Sequence, residues 1–469
     1  MAGKYCSQNG RLKKEEIYLD LENDKMSEEC GVFGVYKPGE GYDSANLSYL
    51  GLHSLQHRGQ ESAGICINDK GKLDLFKDMG FVNNVFDEEI IESLKGDIAI
   101  GHVRYSTTGS SKLVNAQPLL TNSIKGELAL AHNGNLVNGE KLKKKLEDLG
   151  SIFHSTLDTE VIAHLVSRSL KNDIIDAFKD SLHQLKGAFS MVALTTDSLI
   201  AVRDPHGFRP LSLGKIGDGY VVASESCAFD VIGAEYIRDI EPGEMLVIND
   251  NGIDSFRYSE KKPHRFCVFE FIYFARPDSV IGGENVHMAR RNLGRQLASE
   301  ANIEADLVIP VPSSGISAAL GYAEESSIPY EKGILRNKYV GRTFIQPTQK
   351  IRDLKVRLKL NPIRDIISGK KVILIDDSIV RGTTSKQIIR MVREAGAKEV
   401  HMAISSPPVT DSCYYGLDTS RRQELIAAQK SESEICEHIG ADSLTYLSLE
   451  GLLNSIDADD YGFCTACFD

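Results

Sequence analysis

VILIDDSIVRGTT occupies residues 372–384 and decides the fold of the second half of the chain. The apolar run predicts a buried strand, and the Arg-Gly-Thr-Thr that closes the stretch predicts a turn into a helix. In open α/β sheets, ligands bind beyond the carboxyl ends of the strands. The adjacent carboxylates of Asp376 and Asp377 therefore lie where we expect a ligand.

The residues after the two aspartates are suited to hold a phosphate. Backbone N–H groups and the hydroxyls of Thr383, Thr384 and Ser385 can donate to phosphate oxygens, and a helix start adds positive potential. Asp376 and Asp377 suit a ribose diol or Mg²⁺. A strand that ends in a polar turn and a helix cap uses the same residue types, but it needs neither paired aspartates nor the Arg-Gly-Thr-Thr run.

Strands and helices alternate around this stretch. Residues 285–302, 313–324 and 384–396 have helical spacing, and residues 307–312, 371–375 and 400–405 look like buried strands. Such alternation predicts a parallel, Rossmann-like sheet, which is an α/β fold.

The first half has a different pattern, with many short apolar segments broken by Gly, Asn and Asp. Predicted strands lie at 97–104, 128–132 and 190–194, and predicted helices at 155–171 and 171–186. This pattern is typical of a layered α+β domain. We expect a leader at 1–29, a first domain at 30–260, a second at 261–450 and a tail at 451–469.

Composition limits the class of protein. Two domains are expected for 469 residues, and the net charge of -12 disfavours nonspecific binding to nucleic acid or acidic membranes. The polar leader lacks the apolar core of a secretory signal, and no apolar run is long enough for a bilayer, so we expect a cytoplasmic protein. Nine cysteines in so long a chain predict core residues, nucleophiles or metal ligands.

Cys30 stands between the leader and a Gly-Val-Phe-Gly run. If the leader is removed after Glu29, Cys30 carries both a thiol and an α-amine, whose ordinary pKa near 8 lets it take the thiol proton. Translation from Met26 would leave a leader of four residues. The alternatives are a small apolar residue opening a buried strand, and an extension that is never processed.

A basic segment lies between the predicted strands of the second half. Over residues 336–359 a single acid, Asp353, faces eight basic residues: Arg336, Lys338, Arg342, Lys350, Arg352, Lys355, Arg357 and Lys359. Charge runs are often solvated surface, but in an acidic protein and beside the predicted phosphate loop this one indicates a mobile flap that closes over phosphate groups.

Together these segments resemble a known family. Residues 372–385 resemble the signature loop of type I phosphoribosyltransferases, and the chain after the leader resembles the amidophosphoribosyltransferases at 30–34, 56–64, 101–107, 132–135 and 337–345. The resemblance implies an N-terminal-nucleophile glutaminase domain with αββα layers, followed by a type I phosphoribosyltransferase domain. It also implies an activity in which ammonia from glutamine displaces pyrophosphate from phosphoribosylpyrophosphate, giving 5-phosphoribosylamine for purine synthesis.

The resemblance assigns roles in the glutamine half. It implies Cys30 as the nucleophile, Asn133 and Gly134 as oxyanion donors, Arg104 and Thr107 at the substrate carboxylate, Asp158 at its ammonium, and Arg58 as a supporting partner or loop anchor. Taken singly, these residues suit more common roles: a hairpin turn at Asn133-Gly134, a surface ion pair for Arg104 and a helix cap for Asp158. His102 and His132 are expected to be structural.

In the other half, the resemblance assigns the phosphoribosylpyrophosphate site. It implies Asp376 and Asp377 at the ribose and Mg²⁺, Ser314 as a further Mg²⁺ ligand, the loop Ser378, Arg381, Gly382, Thr383, Thr384 and Ser385 at the 5-phosphate, and Arg342 and Lys359 from the flap.

The C-terminal Cys464-x-x-Cys467 has chelating spacing. By resemblance, these two residues join Cys267 and Cys413 in holding a [4Fe-4S] cluster. Zinc is the alternative, because an all-thiolate set favours either over harder metals. The resemblance further implies feedback inhibition by purine nucleotides and a homotetramer, with no nucleic-acid or membrane partner.

Two rival functions differ from this one in the residues that they need. Another glutamine amidotransferase, such as an asparagine or glucosamine-phosphate synthase, would lack Asp376-Asp377 and their loop. A nucleotide-sensing regulator with a phosphoribosyltransferase-like fold would not need Cys30, Arg104 and Asn133-Gly134 together, and we expect it to carry a DNA-binding segment.

Overall fold

The computed structural model describes residues 30–105, 112–337, 359–415, 422–457 and 462–468. The predicted leader at 1–29, Thr107 and Arg342 lie outside the described residues, as does most of the predicted flap, at 338–358.

The first half forms two antiparallel sheets. Their strands are β1 Gly31–Tyr36, β2 Ser62–Asp69, β3 Lys72–Met79, β4 Ile98–Arg104, β5 Leu119–Ser123, β6 Gly126–Leu136, β7 Gly187–Leu194, β8 Leu199–Arg203, β9 Ser212–Ile216, β10 Gly219–Ala223, β11 Glu235–Asp239, β12 Glu244–Asn249 and β13 Gly252–Arg257. Within the described residues, one sheet has the order β11-β9-β10-β1-β4-β2-β3 and the other β13-β12-β8-β7-β6-β5.

Helices cover the outer face of each sheet. They are α1 Ser44–Ser54, α2 Val82–Val85, α3 Glu88–Ser93, α4 Gly139–Asp148, α5 Asp158–Arg168, α6 Ile174–Leu182 and α7 Cys227–Ile232, with a 3₁₀ turn at Leu113–Asn115. Alternation along β1 shows how the layers form: Val32 faces the core between the sheets, whereas Phe33 packs in the core under α1 and α7. The result is the αββα layering that the resemblance implied.

The second half contains a parallel sheet and several short ribbons. Its strands are β14 Phe266–Cys267, β15 Val280–Ile281, β16 Glu284–Asn285, β17 Leu307–Pro310, β18 Ile334–Arg336, β19 Leu360–Pro362, β20 Lys371–Asp376, β21 Glu399–Ile404, β22 Ser443–Tyr446 and β23 Phe463–Cys464. Its helices are α8 Val286–Glu300, α9 Ile316–Ser326, α10 Arg364–Ile367, α11 Thr383–Glu394, α12 Glu432–Ile439 and α13 Leu449–Asn454, with a π-helical turn at Glu270–Phe274 and 3₁₀ turns at Arg422–Glu424 and Ile426–Ala428.

The order β17-β20-β21-β22 forms the parallel sheet, and apolar cores cover both of its faces. α8 and α9 pack on one face, and α11 and α12 on the other. Buried strands of this kind read as continuous apolar runs, as at 372–375. The predicted fold class, an α+β domain followed by an α/β domain, is confirmed.

The hydrophobic cores divide along the chain. Those of the two antiparallel sheets draw on residues up to Tyr258, and those of the parallel sheet on residues from Phe266 onward. Across the described ranges, we find no helix with the length and apolar character needed to cross a membrane.

Candidate active sites

Cys30 lies at the start of β1, near the centre of the seven-stranded sheet, and is buried. Its thiol donates a hydrogen bond to the carbonyl of Tyr105 at 3.5 Å. Burial raises the pKa of this thiol to about 11, and the hydrogen bond and the charge of Arg104 oppose the rise only in part. While its nitrogen is an amide bonded to Glu29, Cys30 therefore stays a thiol at neutral pH.

Arg104 ends β4, the strand beside β1, and is 2% exposed. The Glu61 carboxylate lies near it, with Oε2 3.7 Å from the guanidinium. Because Arg104 is buried, it does not form the surface ion pair that is the more common role of an arginine. A buried arginine can instead bind a substrate carboxylate with two parallel hydrogen bonds.

Asn133 and Gly134 lie inside β6, so they do not form a hairpin turn. Among the described residues, the buried Asn133 Nδ2 has no hydrogen-bond partner, which leaves a donor available. Gly134 has φ +139°, and a Cβ there would lie 2.1 Å from the carbonyl oxygen of Ala188. An unpartnered amide beside a backbone that only glycine fits suits an oxyanion hole.

Asp158 is the first residue of α5, and its carboxylate does not cap that helix, since Leu157 takes the N-cap position. Instead it accepts a hydrogen bond from the Leu136 amide at 3.0 Å and contacts His132 Nδ1 at 3.2 Å. Burial acts to raise the pKa of Asp158, but His132 and the amide donors outweigh it and lower the pKa. The group therefore stays a carboxylate, as binding of an ammonium requires.

The two histidines belong to the same polar chain. His102 Nε2 lies 3.1 Å from the carbonyl oxygen of His132, and His132 in turn contacts Asp158. Both imidazoles are buried. These contacts connect both histidines to Asp158, and their structural role stays a prediction.

Arg58 is 1% exposed, and its Nε donates to the carbonyl of Cys30 at 3.2 Å. Its other partners include the carboxylates of Glu225 and Glu270, which the sequence-based expectations did not contain. A signal was present for one of them: Glu270 is the only charged residue in the apolar run 266–274. A lone acid in such a run is seldom buried without a partner.

In the second half, Asp376 ends β20 and Asp377 follows it, both 1% exposed. Ser314 Oγ donates to Asp376 Oδ1 at 3.3 Å, which brings the two predicted segments together. Ser378 Oγ donates to Asp377 Oδ2 at 2.6 Å. This oxygen-rich group fits the hard ligand set that Mg²⁺ prefers.

Past these aspartates the chain turns into α11. Gly382 stands at the N-cap with φ +78°, Thr383 is the first helical residue, and Thr384 and Ser385 are buried in the first turn. The loop thus presents backbone donors at a helix start. Arg381 forms an ion pair with Glu424 at 2.6 Å, which attaches its guanidinium to the 3₁₀ turn at Arg422–Glu424.

Lys359 lies at the base of the predicted flap. Its carbonyl accepts a hydrogen bond from the Asn337 amide at 2.8 Å, next to the antiparallel ribbon of β18 and β19. The ribbon joins the two ends of the basic segment.

The four cysteines of the predicted cluster are brought into one neighbourhood. Cys267 and Cys464 are register partners in the parallel pair β14–β23, and the Cys467 carbonyl accepts from Thr410, three residues before Cys413. Burial raises the pKa of the Cys267 thiol, and the nearby thiols of Cys464 and Cys413 add to the rise. Within the described residues, no three His, Cys, Asp or Glu side chains already have the arrangement of a metal site.

The segment that carries Cys413 is attached to the first domain. Asn135 Nδ2, on β6, donates to the Tyr414 carbonyl at 3.0 Å, and the buried Arg209 donates to the Tyr415 carbonyl at 2.7 Å. Phe208 and Tyr415 stack with ring centroids 4.3 Å apart. The cysteine region therefore contacts both halves of the molecule.

Comparison with known proteins agrees with this division. Residues 102–231 match the family model of a glutamine amidotransferase domain, and residues 283–412 match that of a phosphoribosyl transferase domain. The first match contains Arg104, Asn133, Gly134 and Asp158, and the second contains Ser314 and the loop after β20.

Relatives match almost the whole chain. The amidophosphoribosyltransferase of Bacillus subtilis is 54% identical over 449 residues, covering 94% of each chain, and that of Archaeoglobus fulgidus is 50% identical, covering 93% of this chain and 96% of the relative. A solved glutamine phosphoribosylpyrophosphate amidotransferase from B. subtilis, complexed with ADP and GMP, superimposes with a TM-score of 0.88 at 53% identity over 94% of this chain and 96% of that one. The chain therefore belongs to the amidophosphoribosyltransferase family.

Proposed function

We propose that this chain makes 5-phosphoribosylamine, glutamate and pyrophosphate from glutamine, water and phosphoribosylpyrophosphate, the first committed step of purine synthesis. The observation that carries the proposal is the near full-length match to amidophosphoribosyltransferases, with a glutamine site and a phosphoribosyl site in one chain. Neither rival accounts for both: other amidotransferases lack the second site, and a regulator does not need the first.

In the glutamine half, the Cys30 thiolate attacks the side-chain amide carbon of glutamine. Asn133 Nδ2 and the Gly134 N–H donate to the oxyanion that forms, while Arg104 holds the substrate carboxylate and Asp158 its ammonium. The mature α-amine takes the thiol proton and passes it to the departing ammonia, and water then hydrolyses the thioester to glutamate and restores the thiol. Thr107, three residues after Arg104 in the sequence, is proposed to support the carboxylate.

In the phosphoribosyl half, the loop from Ser378 to Ser385 holds the 5-phosphate, and Asp376 and Asp377 hold the ribose hydroxyls. Mg²⁺, for which Asp376, Asp377 and Ser314 provide oxygen ligands, would supply positive charge to the departing pyrophosphate. Ammonia attacks C1 of the ribose as the bond to pyrophosphate breaks. Arg342 and Lys359, in the basic segment, are proposed to close over the pyrophosphate and exclude water.

The four cysteines are proposed to hold a [4Fe-4S] cluster, with zinc as the alternative. The all-thiol donor set and the pairing of Cys267 with Cys464 support the proposal. A cluster there would serve stability or oxygen sensing, since the reaction transfers no electrons. Native mass spectrometry separates iron from zinc by mass.

Other parts of the proposal concern processing and assembly. We propose cleavage after Glu29, domains at 30–260 and 261–450, a tail at 451–469, a homotetramer and a cytoplasmic location. The division of the hydrophobic cores between Tyr258 and Phe266 supports the domain boundary. Purine nucleotides are proposed as feedback inhibitors, because the solved relative is a complex with ADP and GMP.

The test replaces the proposed nucleophile. Cys30→Ala should lower glutamine-dependent synthesis by about 10⁴-fold or more and leave ammonia-dependent synthesis intact, because the two sites use separate residues. Cys66→Ala, which removes another buried thiol from the same sheet, is the matched control and should retain both routes. Glutamine use that survives in Cys30→Ala would contradict the proposal.

Intact mass of the purified active enzyme tests the leader in the same experiment. The expected mass is that of a chain that begins at Cys30. Full activity from protein that still begins upstream would show that the α-amine is not the base.

A further inference from the structure

Four buried charged residues lie where the two domains meet: Arg58, Glu225, Glu270 and Arg290, here called the interdomain charge cluster. Each is at most 4% exposed. Arg58 and Glu225 belong to the first half of the chain, Glu270 opens the π-helical turn and Arg290 lies on α8. The cluster therefore spans the boundary between the halves of the molecule.

Arg58 connects this cluster to the proposed nucleophile. Its Nε donates to the carbonyl of Cys30 at 3.2 Å, and its two terminal nitrogens donate to Glu270, to Oε1 at 2.7 Å and to Oε2 at 3.0 Å. It also pairs with Glu225. The Arg58 guanidinium thus binds the main chain of the proposed nucleophile and also forms a bidentate pair of hydrogen bonds with a carboxylate of the other domain.

Glu270 is held in turn from the phosphoribosyl side. Arg290 donates to the carbonyls of Phe271 at 2.7 Å and Ala275 at 2.8 Å, and more weakly to that of Glu270 at 3.3 Å. Arg290 lies on α8, whose Ala289 and Leu293 belong to the same hydrophobic core as Ile375 and Val380, on either side of Asp376 and Asp377. Through this core, α8 connects the proposed phosphoribosylpyrophosphate site to the π-helical turn that carries Glu270.

Buried charges are an expensive way to stabilise a fold, since desolvation offsets most of the attraction between them. Here they do something an apolar core does not do: they give one defined position to the Cys30 carbonyl relative to the π-helical turn. π-Helical turns are rare and frequently lie at functional sites. Both features point to a positional role.

We propose that Glu270 is a positioning residue that couples the phosphoribosyl site to the glutamine site, acting through Arg58 on the main chain of Cys30. The connection runs from the core beside Asp376 and Asp377 to Arg290 on α8, through the π-helical turn to Glu270, and through Arg58 to Cys30. The inference rests on the proposed role of Cys30 as nucleophile.

The experiment compares Glu270→Gln with Glu244→Gln. Glu244 is a matched control: it is 5% exposed and pairs with Arg238 at 2.7 Å, but it lies on β12, away from the cluster. Four rates are measured for each variant: glutamine-dependent synthesis, ammonia-dependent synthesis, and glutamine hydrolysis with and without phosphoribosylpyrophosphate.

Glu270→Gln should lower glutamine-dependent synthesis about 10- to 100-fold, because a small displacement of a nucleophile has effects of that size. It should also weaken the response of glutamine hydrolysis to phosphoribosylpyrophosphate, while ammonia-dependent synthesis stays within about twofold of wild type. Glu244→Gln should change neither the ratio of glutamine-dependent to ammonia-dependent synthesis nor the response of glutamine hydrolysis to phosphoribosylpyrophosphate. Glu270→Asp, which keeps the charge, should restore part of the response.

An unchanged response and an unchanged ratio of the two synthetic rates in Glu270→Gln would overturn the inference. Cys30→Ala, assayed beside it, separates this inference from the proposed function: if that variant keeps glutamine use, the proposed function fails first. If Glu270→Gln does not fold, Arg290→Lys, which keeps a charge but loses the fork to the carbonyls, should give the same split. Equal loss of both synthetic rates in Arg290→Lys would also overturn the inference.

Discussion

The two proposed sites are built from different parts of their sheets. In the first half, Cys30 stands at the start of β1, Arg104 at the end of β4 and Asn133 within β6, and each of these strands is paired with its neighbours. In the second half, Asp377 and Gly382 lie on the loop that leaves the edge of the parallel sheet. One site is set inside its sheets, and the other lies on a loop at the carboxyl ends of the parallel strands.

The difference follows from what each reaction needs. An oxyanion hole works when its donors are fixed before the charge develops, and a paired strand fixes backbone well. A phosphorylated, multiply charged substrate must first be taken from water, so an open edge that a separate segment can cover is suitable. The comparison predicts that damage at the strands affects glutamine use alone, whereas damage at the loop affects every route.

Among the changes that test this comparison, the largest expected effect is at the loop. Asp377→Asn should lower both glutamine-dependent and ammonia-dependent synthesis by about 10²–10³-fold, because it removes a charge from the group that faces the ribose and metal. Steady-state assays with each nitrogen source measure this.

The matched control is Asp306→Asn. The Asp306 carboxylate also binds β20 and accepts a hydrogen bond from the Lys371 amide at 2.8 Å, but Lys371 lies at the amino end of that strand. It should retain both activities, and a loss confined to glutamine use in Asp377→Asn would contradict the comparison.

A smaller effect is expected on β6. Gly134→Ala forces a Cβ to within 2.1 Å of the Ala188 carbonyl oxygen at φ +139°. The positive φ costs about 1–3 kcal/mol and the overlap about as much again. Glutamine use should fall while ammonia-dependent synthesis persists.

Gly126→Ala, at the start of the same strand, separates strain from overlap. Gly126 has φ +110°, but a Cβ placed there would meet no described atom within 4 Å, so only the backbone strain applies. Equal losses of unfolding free energy in the two variants, measured by urea denaturation, would show that the contact with Ala188 does not matter.

The smallest effect concerns pH. Burial lowers the pKa of His102 to about 3, from an ordinary value of 6.5. Below pH 6.5 the unfolded chain binds this proton and the folded chain does not, so the free energy of unfolding falls by about 1.4 kcal/mol per pH unit from this group. Stability is thus fully present above pH 6.5 and declines toward pH 3.

His102→Gln should remove that slope, sparing about 2 kcal/mol of the loss between pH 6.5 and 5 in urea titrations. His53→Gln changes an exposed imidazole on α1 and should keep the wild-type slope. Identical slopes for the two variants would exclude His102 as the source of acid sensitivity.

Much of the architecture was predictable because its signals are local. The run at 372–375 became β20, the helix predicted at 285–302 became α8, and the helix predicted at 313–324 became α9. Asn133-Gly134 shows the limit: as a dipeptide it is typical of a hairpin turn, and only pairing with β7 places it within a strand.

The amino-acid sequence by itself determined which segments form strands and helices, where the thiol, the aspartates and the phosphate loop stand in the chain, and the family that they resemble. Periodicity and turn chemistry act over a few residues, so they can be recognised from the sequence alone. Only the tertiary structure decided that Arg58 binds Glu225 and Glu270, residues 167 and 212 positions away, and that Asn135 reaches Tyr414. Such contacts depend on burial and on the packing of one domain against the other, which no local pattern specifies.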